Sequence, residues 1–565
     1  MDARTSELAA SNVTEMGFLS KGKRGCRLPD RRRLGGLLVS LALLNGGGCG
    51  LSQWAHNGFK VGPNYAPPAV PVAESWIDER EPNIRSEPAD LSLWWTVFSD
   101  PALNHLVVTA ANQNINLRVA GMRILEARYR RQIAVGELFP QSQGAFGSFS
   151  QNKASVNTAL VPPTLWYSQW ETGVSTSWEI DFWGRFRRSV ESADAELDAS
   201  VESYDEVLVL LLAEVAANYV DLRTFQERKR FAAANVIAQE NAYRVTQDKL
   251  ANGTATQRDV EQARSILEQT RALIPLFEEG ERLANNRLCV LLGIPPQNLV
   301  AHSLGDGTIP VTPVEAAIGV PADLIRRRPD VRRAEREVAA QSARIGIAEA
   351  DLYPHLTLNG TLGVAAEDFG DLFDGDRSMI GNVGPAFRWD LLNYGRLVNR
   401  INLQDAKFQA AAFAYQQTVL EAGAEAEDGV IRFLKSKQRS RNLDASAEAA
   451  DITRRITIDQ YRQGVVDFTA VFITESEVSR VQDAAADARG RMALSLIALY
   501  RALGGGWEMR LLPPAMVHAG SHGPLGRPHA NGGNAEEILA MPPDPNAAAP
   551  QPLPANPGNS APSTE

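Results

Sequence analysis

The chain contains two copies of one sequence pattern, and this duplication constrains the fold more than any other feature. Short motifs recur 214 residues apart before the first strands and 211 residues apart after them. Each copy reads as two short strands followed by a very long helical hairpin. A period near 210 residues is far longer than that of a solenoid repeat, so the chain is a duplicated half-molecule. The recurring segments are 138–140 with 352–354, 182–185 with 393–396, Gly253 with Gly464, and Gly293 with Gly504.

The N-terminal region has the organisation of a bacterial export signal. Three arginines, Arg31 to Arg33, precede an apolar run from Leu34 to Leu44 that is too short to span a bilayer. Small residues and then Cys49 follow, which is the arrangement of a lipoprotein cleavage site. We expect residues 1–48 to be a signal peptide and Cys49 to carry a covalent lipid. An ordinary signal peptide with a chance cysteine is the alternative.

Composition narrows the possible functions. The formal net charge of −10 argues against nucleic acid as a partner. With Cys26 removed in the signal and Cys49 lipidated, Cys289 would stand alone and no intramolecular disulfide could form. The seven histidines are scattered, and no catalytic or metal-binding spacing is evident. We therefore expect no enzymatic activity, no metal and no cofactor apart from the lipid.

The mature chain divides into segments of different composition. Residues 49–100 are rich in proline and tryptophan, which predicts an extended, wrapping segment. Residues 101–300 form repeat 1 and residues 301–512 form repeat 2. Residues 513–565 are rich in proline and alanine, which predicts a disordered tail.

Four segments alternate between apolar and polar residues, as strands with one face of each kind do. Strands of this length match a membrane barrel, although a soluble antiparallel sheet with one solvated face is the alternative. A small closed barrel needs about eight strands, and open sheet edges cannot lie in lipid. Several chains would therefore have to pool their strands, and three chains would supply twelve. The segments are about 141–151, 166–180, 356–364 and 379–389.

Each pair of strands is followed by a long helical hairpin, at about 186–292 in repeat 1 and about 397–503 in repeat 2. At 1.5 Å per residue, the longer arm of each hairpin is about 100 Å long. The 3-4 spacing of apolar residues along the arms predicts coiled-coil packing. Pro275 lies inside this pattern and should kink or interrupt its helix.

Two further helices are predicted from their start signals. Pro101 follows Asp100 and opens a helical stretch that reaches about Glu137. The basic cluster 326–328 precedes Pro329 and Asp330, which favour the beginning of a helix. An anion site is the alternative interpretation of this cluster.

Several short motifs follow one another in a specific order along residues 61–512. Together with the duplication, they resemble those of the outer membrane efflux protein family. More narrowly, the sequence is similar to the NodT/OprM-like lipoprotein branch of these outer membrane factors. The motifs are Val61-Gly62-Pro63-Asn64-Tyr65, Trp94-Trp95 with Phe98 and Asp100-Pro101, Leu138-Phe139-Pro140, Arg327-Arg328-Pro329-Asp330 with Ala334-Glu335, and Tyr461 with Gly464.

The resemblance implies a mixed α and β membrane protein that assembles as a homotrimer. Four strands per chain would form one twelve-stranded β-barrel in the outer membrane. The helices would form a periplasmic α-helical barrel, with an equatorial domain between and after the repeats. The location would be the bacterial outer membrane, with a lipid anchor and an extension into the periplasm.

The resemblance also implies a function and partners. The trimer would be the passive duct of a tripartite efflux system, which exports drugs, toxic compounds or metals. Its partners would be a periplasmic adaptor (a membrane fusion protein), an inner-membrane pump of the resistance-nodulation-division type and outer-membrane lipid. The alternatives are the duct of a type I protein-secretion system and, from another class, a coiled-coil scaffold lipoprotein without a channel.

In the family, the turns of the helical hairpins form the periplasmic tip, where the tunnel closes. The predicted turns are 252–256 and 463–467, with Gly253 and Gly464 as the turn glycines. Family members often place an aspartate nine residues after the second glycine, where this chain has Ile473. The candidates for the aperture are Asp467, Phe468, Phe472, Ile473 and Glu475.

Two hypotheses for the aperture follow from this departure. In the first, Glu475 supplies an acidic ring from a shifted position and selects cations. In the second, Phe468, Phe472 and Ile473 form an apolar constriction that closes by dewetting.

The change of offset from 214 to 211 places the only length difference between the copies inside the strand pair. We expect the external loop of the first copy to be about three residues longer.

Overall fold

The computed structural model describes residues 54–513, except 86–89, 158–163, 306, 314, 320 and 322–326. The signal peptide 1–48, the lipidated Cys49 and the tail from residue 514 onward lie outside the described residues. Residues 54–58 belong to one compact unit, and Phe59 begins the second. All elements described below lie in the second unit.

Long helices and one four-stranded sheet make up most of this unit. The α-helices are α1 (Pro101–Gln113), α2 (Ile115–Gly136), α3 (Arg185–Ala251), α4 (Gln257–Leu291), α5 (Pro329–Ala350), α6 (Arg396–Arg462) and α7 (Phe468–Ala502). The strands are β1 (Ile84–Arg85), β2 (Ser142–Lys153), β3 (Trp166–Ile180), β4 (Ala316–Ala317), β5 (His355–Ala366) and β6 (Met379–Arg388).

The helices of the two repeats match residue for residue. Helices α2 and α5 each contain 22 residues, and their bounds differ by 214. Helices α3 and α6 each contain 67 residues, α4 and α7 each contain 35, and the bounds of both pairs differ by 211. A helix of 67 residues is about 100 Å long.

Two helix predictions need correction. The stretch after Pro101 is two helices, because Asn114 accepts a hydrogen bond from the Leu117 N–H and ends one helix by capping the next. Pro275 does not interrupt α4. Pro275 lies on the exposed side of α4, so the carbonyl that it leaves without a donor can face water, while Thr270 and Phe277 hold the helix by packing.

The large sheet is antiparallel throughout, with strand order β2-β3-β5-β6. Strands β2 and β6 are its edges, and neither pairs with a further strand among the described residues. The expected difference in loop length is wrong, because residues 154–165 and 367–378 give twelve connecting residues in each copy. The first copy is longer in its second strand, since β3 has 15 residues and β6 has 10.

The main hydrophobic core contains side chains from both repeats and from the N-terminal segment. Trp94 and Trp95 are almost fully buried, and the Trp94 ring lies 5.6 Å from the Tyr500 ring. The core also takes side chains from six helices: Leu103, Leu106, Leu117, Leu212, Tyr219, Leu222, Leu288, Val430, Phe433, Leu496 and Leu499.

Helix α5 begins directly after Arg328 of the basic cluster, as expected, with Pro329 at its first position and Asp330 in its first turn. Arg328 is buried and forms ion pairs of 2.8 Å with Asp330 and with Glu425 of α6. It also donates to the Ala502 carbonyl at the end of α7, at 2.6 Å. Burial opposes ionisation of Glu425, but Arg328 and Arg501 outweigh it and lower the pKa of this carboxyl. Arg328 therefore links α5, α6 and α7 of the second repeat.

The N-terminal segment crosses the junction between sheet and helices. Arg188 donates from Nε to the Val61 carbonyl at 3.0 Å and from Nη2 to the Gly62 carbonyl at 2.9 Å. Gly62 has a φ of +83°, and a Cβ atom there would lie 2.4 Å from the Cα atom of Gly346. Only glycine fits this crossing of two backbones.

We expect Gly62→Ala to destabilise the fold by about 1–3 kcal/mol, because the added methyl group overlaps backbone that cannot move aside. Thermal unfolding of the detergent-solubilised protein, followed by circular dichroism, measures the change. Gly136→Ala is the control, since a Cβ atom at Gly136 meets nothing within 4 Å. Equal unfolding temperatures for both variants would contradict this account of the crossing.

Candidate functional site

The register of the four strands places apolar and polar side chains on opposite faces of the sheet. Partners across the strands, such as Phe149 with Trp170 and Trp170 with Ala366, point to the same side. The apolar face carries Phe149, Trp166, Trp170, Val174, Trp178, Ile180, Leu356, Leu358, Leu362, Val364, Met379, Val383 and Phe387. The opposite face carries mainly Ser, Thr, Asn, Gln, Glu, His and Arg side chains, and there the Ser177 hydroxyl donates to Asn359 Oδ1 at 2.7 Å.

A glycine pair on the polar face brings two strands unusually close. Gly173 of β3 and Gly363 of β5 are register partners, and a Cβ atom on Gly173 would lie 2.6 Å from the Gly363 Cα. Glycine kinks at defined positions introduce curvature into a sheet.

Aromatic side chains gather at both ends of the strands. At the hairpin end, Trp170 lies 4.4 Å from the Phe149 ring and 5.0 Å from the Phe369 ring. At the helix end, Phe387 is 73% exposed and Tyr394 is 98% exposed. The eleven residues from Trp170 to Ile180 span about 33 Å along the strand. Two aromatic zones around an apolar band are the arrangement that a bilayer stabilises.

None of the helices in the described part of the chain combines the length and the apolar character that a membrane crossing requires.

The distal ends of the helical hairpins turn at the two predicted glycines. Gly253 has a φ of +70° and Gly464 a φ of +77°, so both adopt the left-handed conformation that glycine allows. Thr256 and Asp259 form a capping box at the start of α4. Asp467 caps α7 by accepting from the Ala470 N–H at 3.3 Å.

The two hairpins touch each other at these ends. Phe468 is 3% exposed and packs with Ala263 and Val471, and its ring lies 5.7 Å from the Tyr461 ring. Lys249 Nζ donates to the Tyr461 carbonyl at 2.8 Å and lies 3.7 Å from the centre of the Tyr461 ring. Lys249 was not among the sequence candidates. Its position in the last turn of α3, shortly before Gly253, is the sequence signal that indicates a contact at the hairpin end.

The aperture candidates separate into buried and exposed groups. Ile473 is 61% exposed and Phe472 is partly buried, whereas Phe468 belongs to the core between the hairpins. Asp467 is exposed and occupied as a helix cap. Of the residues in the apolar hypothesis, Ile473 projects from its helix, whereas Phe468 is buried between the hairpins and is not available to line an aperture.

The acidic-ring hypothesis is contradicted by the position of Glu475. This residue is 2% exposed, and neither carboxylate oxygen has a hydrogen-bond partner among the described residues. Burial raises the pKa of the Glu475 carboxyl; Arg454 lowers it and Asp451 raises it. Arg454 itself forms an ion pair with Asp451 at 2.5 Å. The helical period that places Val471 and Val478 against neighbouring helices buries Glu475 too.

Comparison with known proteins places this chain in a family of transport proteins. The family model described as "Outer membrane efflux protein" matches residues 106–294 and 320–505, one segment per repeat. The chain belongs to this family. It is an outer-membrane efflux channel protein, located in the bacterial outer membrane.

Individual relatives agree with the family match over most of the chain. Nodulation protein T of Rhizobium leguminosarum bv. trifolii is 29% identical over 80% of this chain and 95% of its own length. The pyoverdine export outer membrane protein OpmQ of Pseudomonas aeruginosa is 30% identical over 75% of this chain and 89% of its own. The solved structure of the outer-membrane channel OprN has a TM-score of 0.74 and 31% identity, covering 79% of this chain and 99% of that one.

We expect Glu475→Gln to flatten the pH dependence of stability. Burial raises the pKa of the Glu475 carboxyl in the folded protein above its unfolded value of about 4.3. The neutral carboxyl therefore makes its full contribution to the stability of the fold below this unfolded pKa. That contribution is lost as the pH rises through the folded pKa, so the wild type should weaken toward neutral pH. The melting temperature of the variant should exceed that of the wild type at pH 7–8.

The matched control is Glu477→Gln, since Glu477 is exposed and pairs with Arg480 at 2.6 Å. Arg480 lowers the pKa of Glu477, so this substitution should leave the pH-dependent loss in place. Parallel plots of melting temperature against pH for the wild type and Glu475→Gln would show that folding does not raise the pKa of Glu475.

Proposed function

We propose that three copies of this chain form a passive duct across the outer membrane. The two-faced sheet with unpaired edges β2 and β6 is the observation that supports this most strongly. Sheet edges cannot be left open in lipid, because each unpaired backbone group costs several kcal/mol there. Four strands from each of three copies would close a twelve-stranded barrel with an apolar exterior and a polar interior.

Helices α3, α4, α6 and α7 would continue this barrel as a tunnel about 100 Å long in the periplasm. The turns at Gly253 and Gly464 would form its closed tip, with Ile473 as the constricting side chain. A periplasmic adaptor would dock on the hairpins, and an inner-membrane pump of the resistance-nodulation-division type would supply the energy. The relative OpmQ is named for pyoverdine export, and export of small molecules is the matching function for this chain.

Trimer formation and conductance test this function directly. Unheated samples of the outer-membrane fraction should migrate as a trimer in a detergent gel and as a monomer after boiling. The purified trimer should form channels in planar bilayers. A stable monomer without conductance would favour the scaffold alternative.

We expect Ile473→Ala to raise the single-channel conductance of the closed duct several-fold, because a smaller apolar side chain widens and wets the constriction. The control is Ile237→Ala, which trims an equally exposed isoleucine on α3 away from the tip; Ile237 is 62% exposed. Equal conductance for the two variants would exclude Ile473 from the constriction.

We expect Cys49→Ser to abolish incorporation of labelled palmitate and to leave trimers intact, since the barrel itself holds the protein in the membrane. Cys289→Ser is the control, because Cys289 is buried in the main core and should carry no lipid. Palmitate in the Cys49→Ser variant would show that the lipid is attached elsewhere.

A further inference from the structure

A histidine on the polar face of the sheet is held where the strands meet the helices. His355 is the first residue of β5 and shares a face with Thr357 and Asn359. Its Nδ1 atom lies 2.8 Å from Oε1 of Glu179, near the end of β3. Because an ionised carboxylate only accepts hydrogen bonds, Nδ1 carries a hydrogen and a further proton would bind at Nε2. Glu179 thus fixes the orientation of the ring.

Two carboxylates and three arginines surround His355 at this junction. Arg185, the first residue of α3, lies 3.0 Å from Glu179 and 3.7 Å from Asp351. Arg388 of β6 is the register partner of His355. The three arginines exceed the two carboxylates by one charge in each chain, and a protonated His355 would add another. The five groups are Glu179 of β3, Asp351 at the end of α5, Arg185 of α3, Arg388 of β6 and Arg400 of α6, which lies 3.9 Å from Asp351.

Two more titratable side chains near this junction have partners other than His355. Glu349 interacts with Arg188 and with the backbone of Gly62. The Tyr353 ring stacks on the Trp183 ring, with 4.5 Å between the ring centres. Histidine is the type of side chain that ordinarily changes its charge between pH 5 and pH 8. A change of pH in this range is therefore expected to act on this junction through His355.

The first repeat has a neutral side chain at the same position. With the offset of 214, His355 corresponds to Gln141. Gln141 also binds Glu179, since its Oε1 accepts from the Glu179 N–H at 2.7 Å and its Nε2 donates to the Glu179 carbonyl at 3.1 Å. Both repeats thus hold Glu179 with the residue at this position, but only the second repeat uses an ionisable group.

The position of His355 on the sheet determines what its charge would act on. In the proposed barrel the polar face lines the interior, so three copies of His355 would form one ring where the barrel meets the tunnel. Rings of charged side chains set the ion selectivity of pores. The field of such a ring extends about 10 Å at 0.1 M salt and about 30 Å at 0.01 M salt. Ions that pass through the duct would therefore interact with the ring.

We propose that His355 determines the ion specificity of the duct and makes it depend on pH. At acidic pH, the protonated histidines add three positive charges to the ring, and the duct passes anions more readily. At alkaline pH the histidines are neutral, and passage of anions is weaker. This proposal rests on the proposed function, because only a closed barrel has an interior in which the ring can act.

Two substitutions that fix the charge at this position test the proposal. His355→Gln installs the neutral side chain of the first repeat, and His355→Lys keeps a positive charge at every pH measured. In the wild type, the permeability ratio of potassium to chloride should fall about two-fold between pH 8 and pH 5.5. Reversal potentials of the purified trimer in planar bilayers, under a potassium chloride gradient, give this ratio. His355→Gln should keep the value of pH 8 throughout, and His355→Lys the value of pH 5.5.

The control is His105→Gln, since His105 is exposed on α1, outside the sheet. This variant should retain the two-fold change. Every protein is measured with and without Ile473→Ala, so that a narrow tip does not mask the effect of the ring. Migration as a trimer in detergent gels verifies that each variant assembles.

The outcomes separate this proposal from the proposed function. Equal permeability ratios for the wild type, His355→Gln and His355→Lys at both pH values, in trimers that conduct, would overturn the role of His355 and leave the duct standing. A conducting wild type whose ratio is the same at both pH values would do so even if neither variant assembles. A wild type that forms no channels would instead overturn the proposed function.

Discussion

Unpaired backbone groups cannot remain in lipid, and the rest of the structure depends on this constraint. A sheet of four strands with two free edges has no stable position in a membrane by itself. Its apolar face, its polar face and its aromatic ends suit a bilayer only when both edges are paired with further strands. In the proposed trimer, the long helices that follow β3 and β6 would continue the wall of the duct beyond the sheet.

The two repeats share the same strands and helices, but their residues differ near the hairpin turns. Helix lengths are identical in the two repeats, so the scaffold is regular. At the tip, Ile473 and Glu475 of the second repeat replace Gln262 and Arg264 of the first. The second hairpin thus presents an exposed isoleucine beside a buried carboxyl, whereas the first has polar side chains at both positions.

Much of the fold was accessible from the sequence, because apolar periodicity and glycine positions report local structure directly. Strand β3 and the turn glycines lie where the sequence places them. The break at Asn114 was missed because a capping asparagine inside an apolar pattern looks like an ordinary helical residue. The burial of Glu475 was missed for a different reason, since it depends on which side of α7 faces its neighbours. Sequence spacing alone cannot supply that orientation.

The uneven distribution of packing along the hairpins has a mechanical consequence. The large core holds the helices at one level around Leu212, and a cluster centred on Ala263, Tyr461, Phe468 and Val471 holds their far ends. From Leu222 to Leu250, α3 extends about 40 Å without a comparable core, so a rotation of about 5° at the level of the core would displace the tip by about 4 Å. A small rotation of the helices at the level of the core therefore corresponds to a shift of several ångströms at the hairpin turns.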